Sequence, residues 1–171
     1  MIRAFIIAAQ TLDGFIAREA NEPATWTSGA DKKFFVERTK QAGVVVMGAR
    51  TFKTIGRALP NRLTIVYSHQ ELTIPGVETT TKPPAELLAE LGERGFKEVA
   101  IGGGSSIYTL FIKNNLVETV YLTLEPRFFG QGLCLFNEPL DRRLTLVKSQ
   151  PLDDDVILLE YRVNHGRPHQ N

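Results

Sequence analysis

An aspartate, an arginine and a run of three glycines are the parts of this chain best equipped for chemistry. Asp31 is followed by Phe34 and Phe35 at i+3 and i+4 and by Arg38 at i+7. On a helix its carboxylate therefore shares a side with aromatic rings. Such an acid either complements the helix dipole on a solvated first turn or projects into an apolar cleft and binds a cationic or amidine-like group. The glycines lie in Glu98–Phe111, EVAIGGGSSIYTLF. A short apolar run stops at Gly102–Gly104, and Ser105 and Ser106 open a segment in which Ile107, Leu110 and Phe111 recur at helical spacing. This pattern predicts strand, glycine turn and helix. Glycines admit a ligand close to the backbone, and the first N–H groups of a helix bind phosphate; the same residues also serve as a plain tight turn with a cap. Arg62 closes the loop GRALPNR, where it either bonds loop carbonyls or clamps an anion.

Several elements must hold these groups. Arg3–Gln10 is a nearly continuous apolar run, expected of a strand buried on both faces. A turn at Asp13-Gly14 precedes Phe15-Ile16-Ala17, and residues 18–30 are polar, with the only tryptophan, Trp26, among them. A lone Trp in such a loop anchors it to the core or covers a ligand. Ser28 or Gly29 caps a helix running to about Gln41. Then come a strand over Gly43–Gly48, a helix over Ala49–Ile55, a loop over Gly56–Arg62 and a strand over Leu63–Tyr67. A short strand at Val77–Thr80, a helix from Pro83-Pro84 to about Leu91, and a long strand over Val117–Glu125 follow, with a loop at Pro126–Leu133. Leu144–Ser149 and Val156–Val163 form an antiparallel hairpin, and 164–171 is a polar tail. The expected architecture is α/β: one domain over 1–163, a mostly parallel central sheet with an antiparallel C-terminal hairpin and helices on both faces. Ligands of such sheets sit at the carboxyl ends of the strands. Those ends carry Ala8-Ala9, Gly48-Ala49-Arg50-Thr51, Ser68-His69 and Gly102–Ser106, small, hydroxyl and basic residues suited to a dinucleotide. The G-x-G-x-x-G fingerprint of an ordinary Rossmann dehydrogenase is absent.

Composition narrows the partners. Twenty basic against nineteen acidic residues leave a net charge of +1, which gives no electrostatic reason for a nucleic-acid or membrane partner. The one cysteine, Cys134, excludes an internal disulfide and suits a reducing compartment, so a cytoplasmic location is expected. No metal-ligand spacing stands out. The apolar start is too short to span a bilayer.

At Val46–Arg62, VMGARTFKTIGRALPNR, the chain resembles the M-G-R-x-T-[WF]-x-x-I-G-R-P-L-P-x-R block of the dihydrofolate reductase family. The resemblance extends to IAAQTLDGFIA (7–17), to Trp26, Asp31 and Phe35 in W-x-x-x-x-D-x-x-x-F, to GGSSIY (103–108) and to YLTLEP (121–126). Leu116–Gly132, LVETVYLTLEPRFFGQG, is similar instead to the pyrimidine reductase domain of riboflavin biosynthesis, which shares the fold. The first resemblance implies an NADPH-dependent reductase of dihydrofolate, a monomer or homodimer without metal. It implies Asp31 as the acid that receives the pterin, steadied by Thr123, with Trp26 holding a water and Tyr108 close to nicotinamide. Ile7 and Ala8 would offer backbone groups to the ring; Phe35, Ile55 and Leu59 would wall the p-aminobenzoyl part, and Arg62 would pair with the glutamate. Ala9, Ile16, Gly48, Ala49, Arg50, Thr51, Ser68, His69 and Gly103, Gly104, Ser105, Ser106 and Ile107 would line the cofactor, with a non-proline cis bond at Gly103–Gly104.

The chain departs from the family pattern in three ways. Ala49 stands where an arginine for the 2′-phosphate is usual, leaving Arg50 and His69 to compensate. Gly102 falls at a branched apolar position, and Lys32 and Lys33 replace residues that include an apolar folate contact. Asp31 with Arg62 across an apolar channel favours a pteridine–glutamate substrate over a ribosylaminopyrimidine phosphate, which calls for clustered basic and hydroxyl groups. A nucleotide-binding module without turnover is the third reading.

Overall fold

The computed structural model describes residues 2–165, and its first strand, β1 (Arg3–Thr11), is the apolar run at the start of the chain. The Asp13-Gly14 turn leads to β2 (Phe15–Ala17), and a single 3-10 turn at Ala24–Trp26 buries the tryptophan before α1 (Gly29–Ala42). Ser28 caps α1: its Oγ accepts the Asp31 N–H at 3.1 Å, an interaction worth about 1 kcal/mol. Gly43, in the left-handed conformation, ends the helix and turns the chain into β3 (Val44–Gly48). After it come α2 (Ala49–Ile55), β4 (Leu63–Tyr67), β5 (Val77–Thr80), α3 (Pro84–Glu93), β6 (Glu98–Ile101) and α4 (Ser105–Lys113). The chain closes with β7 (Val117–Glu125), β8 (Leu133–Cys134), β9 (Leu144–Pro151) and β10 (Ile157–Val163).

Eight strands form one sheet in the order β5-β4-β3-β6-β1-β7-β10-β9. The first six are mutually parallel, and β10 and β9 add the antiparallel hairpin at one edge. The loop expected at Pro126–Leu133 ends differently: Leu133 belongs to β8, which pairs antiparallel with β2 in a second, two-stranded sheet. Both β8 residues are exposed, so no apolar alternation marks the strand. Of the expected polar tail, Asn164 still donates its N–H to the Arg143 carbonyl at 3.0 Å, and 166–171 lie outside the described residues.

Alternation along the strands divides the core into two halves. Ala4, Ile6 and Ala8 of β1 join Val44, Val46, Val99 and Ile101 under α3 and α4, with Leu91 and Phe111 fully buried among them. Phe5 and Ile7 turn to the other side, with Val45, Met47 and Ala100, under α1 and α2. Helices thus cover both faces. Each fully buried side chain of this size contributes about 1.5–3 kcal/mol. Among the described residues no helix is long and apolar enough to cross a membrane. The carboxyl ends of β1, β3, β4 and β6 all open on one edge of this two-sided core, and there the candidate residues meet.

Candidate active site

Asp31 sits in the first turn of α1, half-buried against the end of β7. Burial pushes its carboxyl above the ordinary aspartate value of 3.8. The hydroxyls of Thr123 and Thr27 and the Lys32 ammonium oppose that rise, and the charge of Glu125 reinforces it. Thr123 is 1% exposed and lies beside Ala9 in the β1–β7 register, so the acid, the hydroxyl and the end of β1 converge. The Lys32 ammonium also donates to the Thr27 carbonyl. Trp26 is buried next to this acid-bearing turn, with Phe129 edge-on to its ring at 5.0 Å. Its Nε1 is a buried donor with no acceptor among the described residues, suited to a bound oxygen.

The apolar wall is assembled as the spacing of Asp31 and Phe35 requires. Phe34, Phe35, Ile55 and Leu59 border the core half that holds Met47 and Phe52, and Phe35 also faces Gly102. Arg62 lies at the far end of that wall. Its Nε donates to the Pro60 carbonyl at 3.0 Å, and its Nη1 donates to the Val36 carbonyl at 3.2 Å and to Thr39 Oγ1. These bonds fasten the loop to α1, the purely structural task open to it from sequence. Nη2 takes no part in them among the described residues. Burial holds its guanidinium below the usual arginine value.

The glycine corner is made of backbone. The Gly48 N–H donates to the Gly103 carbonyl and the Gly102 N–H to the Val46 carbonyl, both at 2.8 Å, so the chain ends of β3 and β6 are tied together. The Gly103–Gly104 peptide is cis, as the family resemblance implies. Gly103 has φ +105°, and a Cβ there would fall 2.9 Å from the Tyr108 hydroxyl. A Cβ on Gly104 would fall 3.3 Å from Thr51 Oγ1, and one on Gly48 would fall 3.1 Å from Ile107. Among the described residues neither α2 nor α4 has a side-chain cap. Here the residues fit a dinucleotide: a cradle that any β-carbon would narrow, at a helix start with unclaimed donors. Gly102 is tight for a different reason, since its Cβ would meet Val45 at 3.1 Å, which accounts for glycine at a position usually branched.

The remaining predicted residues are placed as follows. Tyr108 is buried on α4, and its hydroxyl donates to the Ile7 carbonyl at 2.9 Å. Burial drives that hydroxyl well above the ordinary tyrosine value. Ile7 and Ala8 are buried within β1, Ala9 is half-buried after them, and Ile16 borders the α3–α4 side of the core. Ser105 and Ser106 turn their hydroxyls outward: Ser105 Oγ donates to the Cys134 carbonyl at 2.6 Å, and Ser106 Oγ accepts from Asn137 Nδ2 at 2.9 Å. Ser68 Oγ closes a local turn on the Gln70 carbonyl. Ala49 begins α2 half-buried; Arg50 is exposed on the first turn of α2 and His69 is exposed just after β4, brought near one another because Gly48 of β3 is paired with Tyr67 of β4.

Two carboxylates escaped the sequence. Glu125 is 2% exposed and accepts the Ser28 N–H at 2.9 Å and Oγ–H at 2.8 Å, across 97 residues. Asp13 accepts the N–H of Phe129 at 3.1 Å and of Gly130 at 2.7 Å, pinning the 126–132 loop that brings Phe129 to Trp26. Only the D-G turn signal at 13–14 hinted at the second, and nothing local marks the first.

The sequence profile described as dihydrofolate reductase matches residues 3–156. The chain is 34% identical over 112 residues to the type A13 dihydrofolate reductase of Escherichia coli, and that match spans 64% of each chain. The solved dihydrofolate reductase of Enterococcus faecalis, complexed with NADP(H), superposes with a TM-score of 0.73 at 28% identity, covering 95% of this chain and 96% of that one. The diaminohydroxyphosphoribosylaminopyrimidine deaminase/5-amino-6-(5-phosphoribosylamino)uracil reductase of Thermotoga maritima gives 0.78 at 20% identity. There 95% of this chain covers 57% of the other, a likeness of fold alone.

Proposed function

The chain belongs to the dihydrofolate reductase family of oxidoreductases, and on that premise we propose that it reduces 7,8-dihydrofolate to tetrahydrofolate with NADPH as hydride donor. The observation that carries this reading is the Asp31 carboxyl, desolvated beside Thr123 and Thr27 at the head of an apolar wall. A pterin presents N3–H and a 2-amino group side by side, and one carboxylate accepts both. Phe35, Ile55 and Leu59 would hold the p-aminobenzoyl ring, and the free edge of Arg62 would meet the glutamate carboxylate as a planar fork. When bound, NADPH supplies a hydride, which pterin C6 receives. N5 must gain a proton, and a water held by Trp26 Nε1 would give it while Asp31 orients the ring. Gly48, Thr51, Gly103 and Gly104 would receive the pyrophosphate, and Arg50 and His69 the 2′-phosphate.

A second reading is a (ribosylamino)pyrimidine reductase, favoured by the segment Leu116–Gly132. NADPH oxidation followed first with dihydrofolate and then with the aminopyrimidine phosphate separates the two. Turnover with dihydrofolate alone is the expected result. Turnover with the pyrimidine alone overturns the assignment, and a bound cofactor without turnover on either leaves a nucleotide-binding module.

A further inference from the structure

The site as described gives Glu125 no task, yet a buried carboxylate needs one. It is 2% exposed, and among the described residues no ion pair reaches it. Its partners are the two donors of Ser28, and Ser28 Oγ in turn accepts the Asp31 N–H. One hydroxyl therefore links the two acids, by a bond to the carboxylate of one and the backbone of the other. Glu125 also lies two residues beyond Thr123 on β7, so both point to the same face of the sheet, the face met by Asp31. Thus we propose that Glu125 is a positioning residue for Asp31, fixing the first turn of α1 through Ser28 and setting a second negative charge behind the substrate-facing carboxyl.

Like charges at close range oppose one another's ionisation, so the charge of Glu125 adds to the burial that raises the Asp31 carboxyl. The other groups around the pair are few. Lys32 on α1 and Tyr108 on α4 face Asp31, together with the Thr27 and Thr123 hydroxyls. Glu125 borders a polar cavity of about 570 Å³ shared with Arg127 and with Asp153, Asp154 and Asp155 of the β9–β10 turn. Those three aspartates are exposed. This role rests on the reading of Asp31 as the pterin-binding acid, but its first test does not.

Glu125→Gln keeps an acceptor for Ser28 and removes only the charge. Carbon-13 NMR of the carboxyls in the ligand-free protein should show Asp31 titrating at lower pH in this variant than in wild type. Glu125→Asp, which keeps the charge, should leave the wild-type midpoint in place even where thermal stability falls. With dihydrofolate, the pH dependence of kcat should shift in the same direction, with KM changed less than twofold. An Asp31 midpoint that stays put or rises in Glu125→Gln overturns the proposal. If that variant does not fold, the folded Glu125→Asp protein carries the test, and an Asp31 midpoint displaced from wild type there overturns the proposal. Absence of dihydrofolate turnover in the wild type would count against the folate assignment alone, since the NMR comparison needs no substrate.

Discussion

The two halves of this site are built in opposite ways. Around Asp31 the work is done by side chains brought from far apart: Thr123 on β7, Thr27 and Ser28 ahead of α1, and Glu125 bonded across 97 residues. Around Gly103 it is done by backbone, with the chain ends of β3 and β6 tied at 2.8 Å and helix starts that have no side-chain cap among the described residues. Changes to the first half should therefore alter chemistry while the fold persists. Changes to the second should deform the corner itself.

The hardest way to break that contrast is Gly103→Ala. The residue would have to hold φ +105° with its Cβ 2.9 Å from the Tyr108 hydroxyl. Strain and overlap together should cost about 2–4 kcal/mol of stability. NADPH affinity, read by fluorescence titration, should fall by about 100-fold or more, and a variant that keeps wild-type melting and affinity refutes the backbone account. Asp31→Asn tests the other half. Turnover of dihydrofolate at pH 7 should fall at least tenfold, about 1.4 kcal/mol of barrier, with NADPH affinity unchanged. Its stability should move the opposite way. Because burial holds the Asp31 carboxyl above 3.8, the folded protein keeps that proton longer than the unfolded chain does. The stability it contributes is complete below the unfolded value and is lost as pH rises through the folded one. Asparagine escapes that loss, so the variant should melt above wild type at pH 7, and the gap should close toward pH 3.

Smaller effects sharpen the picture. Arg62→Leu should raise the KM for dihydrofolate about tenfold and barely lower kcat, since the contact is remote from hydride transfer. A pterin lacking the glutamate should bind variant and wild type alike. If both ligands weaken together, the bonds of Arg62 to Pro60, Val36 and Thr39 are its whole role. Arg50→Ala should reduce the preference for NADPH over NADH about threefold to fivefold, less than a buried charge-assisted bond is worth, because the side chain is exposed. Equal use of both cofactors by wild type would remove the basis for this expectation.

What could be read from sequence follows the same division. Ala49–Ile55, Leu63–Tyr67, Val77–Thr80 and Val117–Glu125 have the bounds predicted, because apolar runs there stop at glycine, proline or polar turns. The glycine run of that corner was legible because Gly102, Gly103 and Gly104 are consecutive. β8 was not, being two exposed residues whose pairing with β2 depends on the loop pinned by Asp13. Asp31 could be placed on the aromatic side of a helix from spacing, but its meeting with Thr123 came only from family resemblance. Glu125 carried no signal, since burial of a strand-end glutamate is decided by a serine on a distant helix start.

The bond from Tyr108 to Ile7 carries one further consequence. It joins α4, which opens at the glycine corner, to a carbonyl of β1 two residues before Ala9, the residue opposite Thr123. A ligand that displaces Tyr108 alters the acceptor available to a ligand on the other side. By linkage any such effect on affinity is reciprocal. Inhibitors aimed at one half should then be ranked with the other half filled, for the affinity of each is a property of the ternary complex.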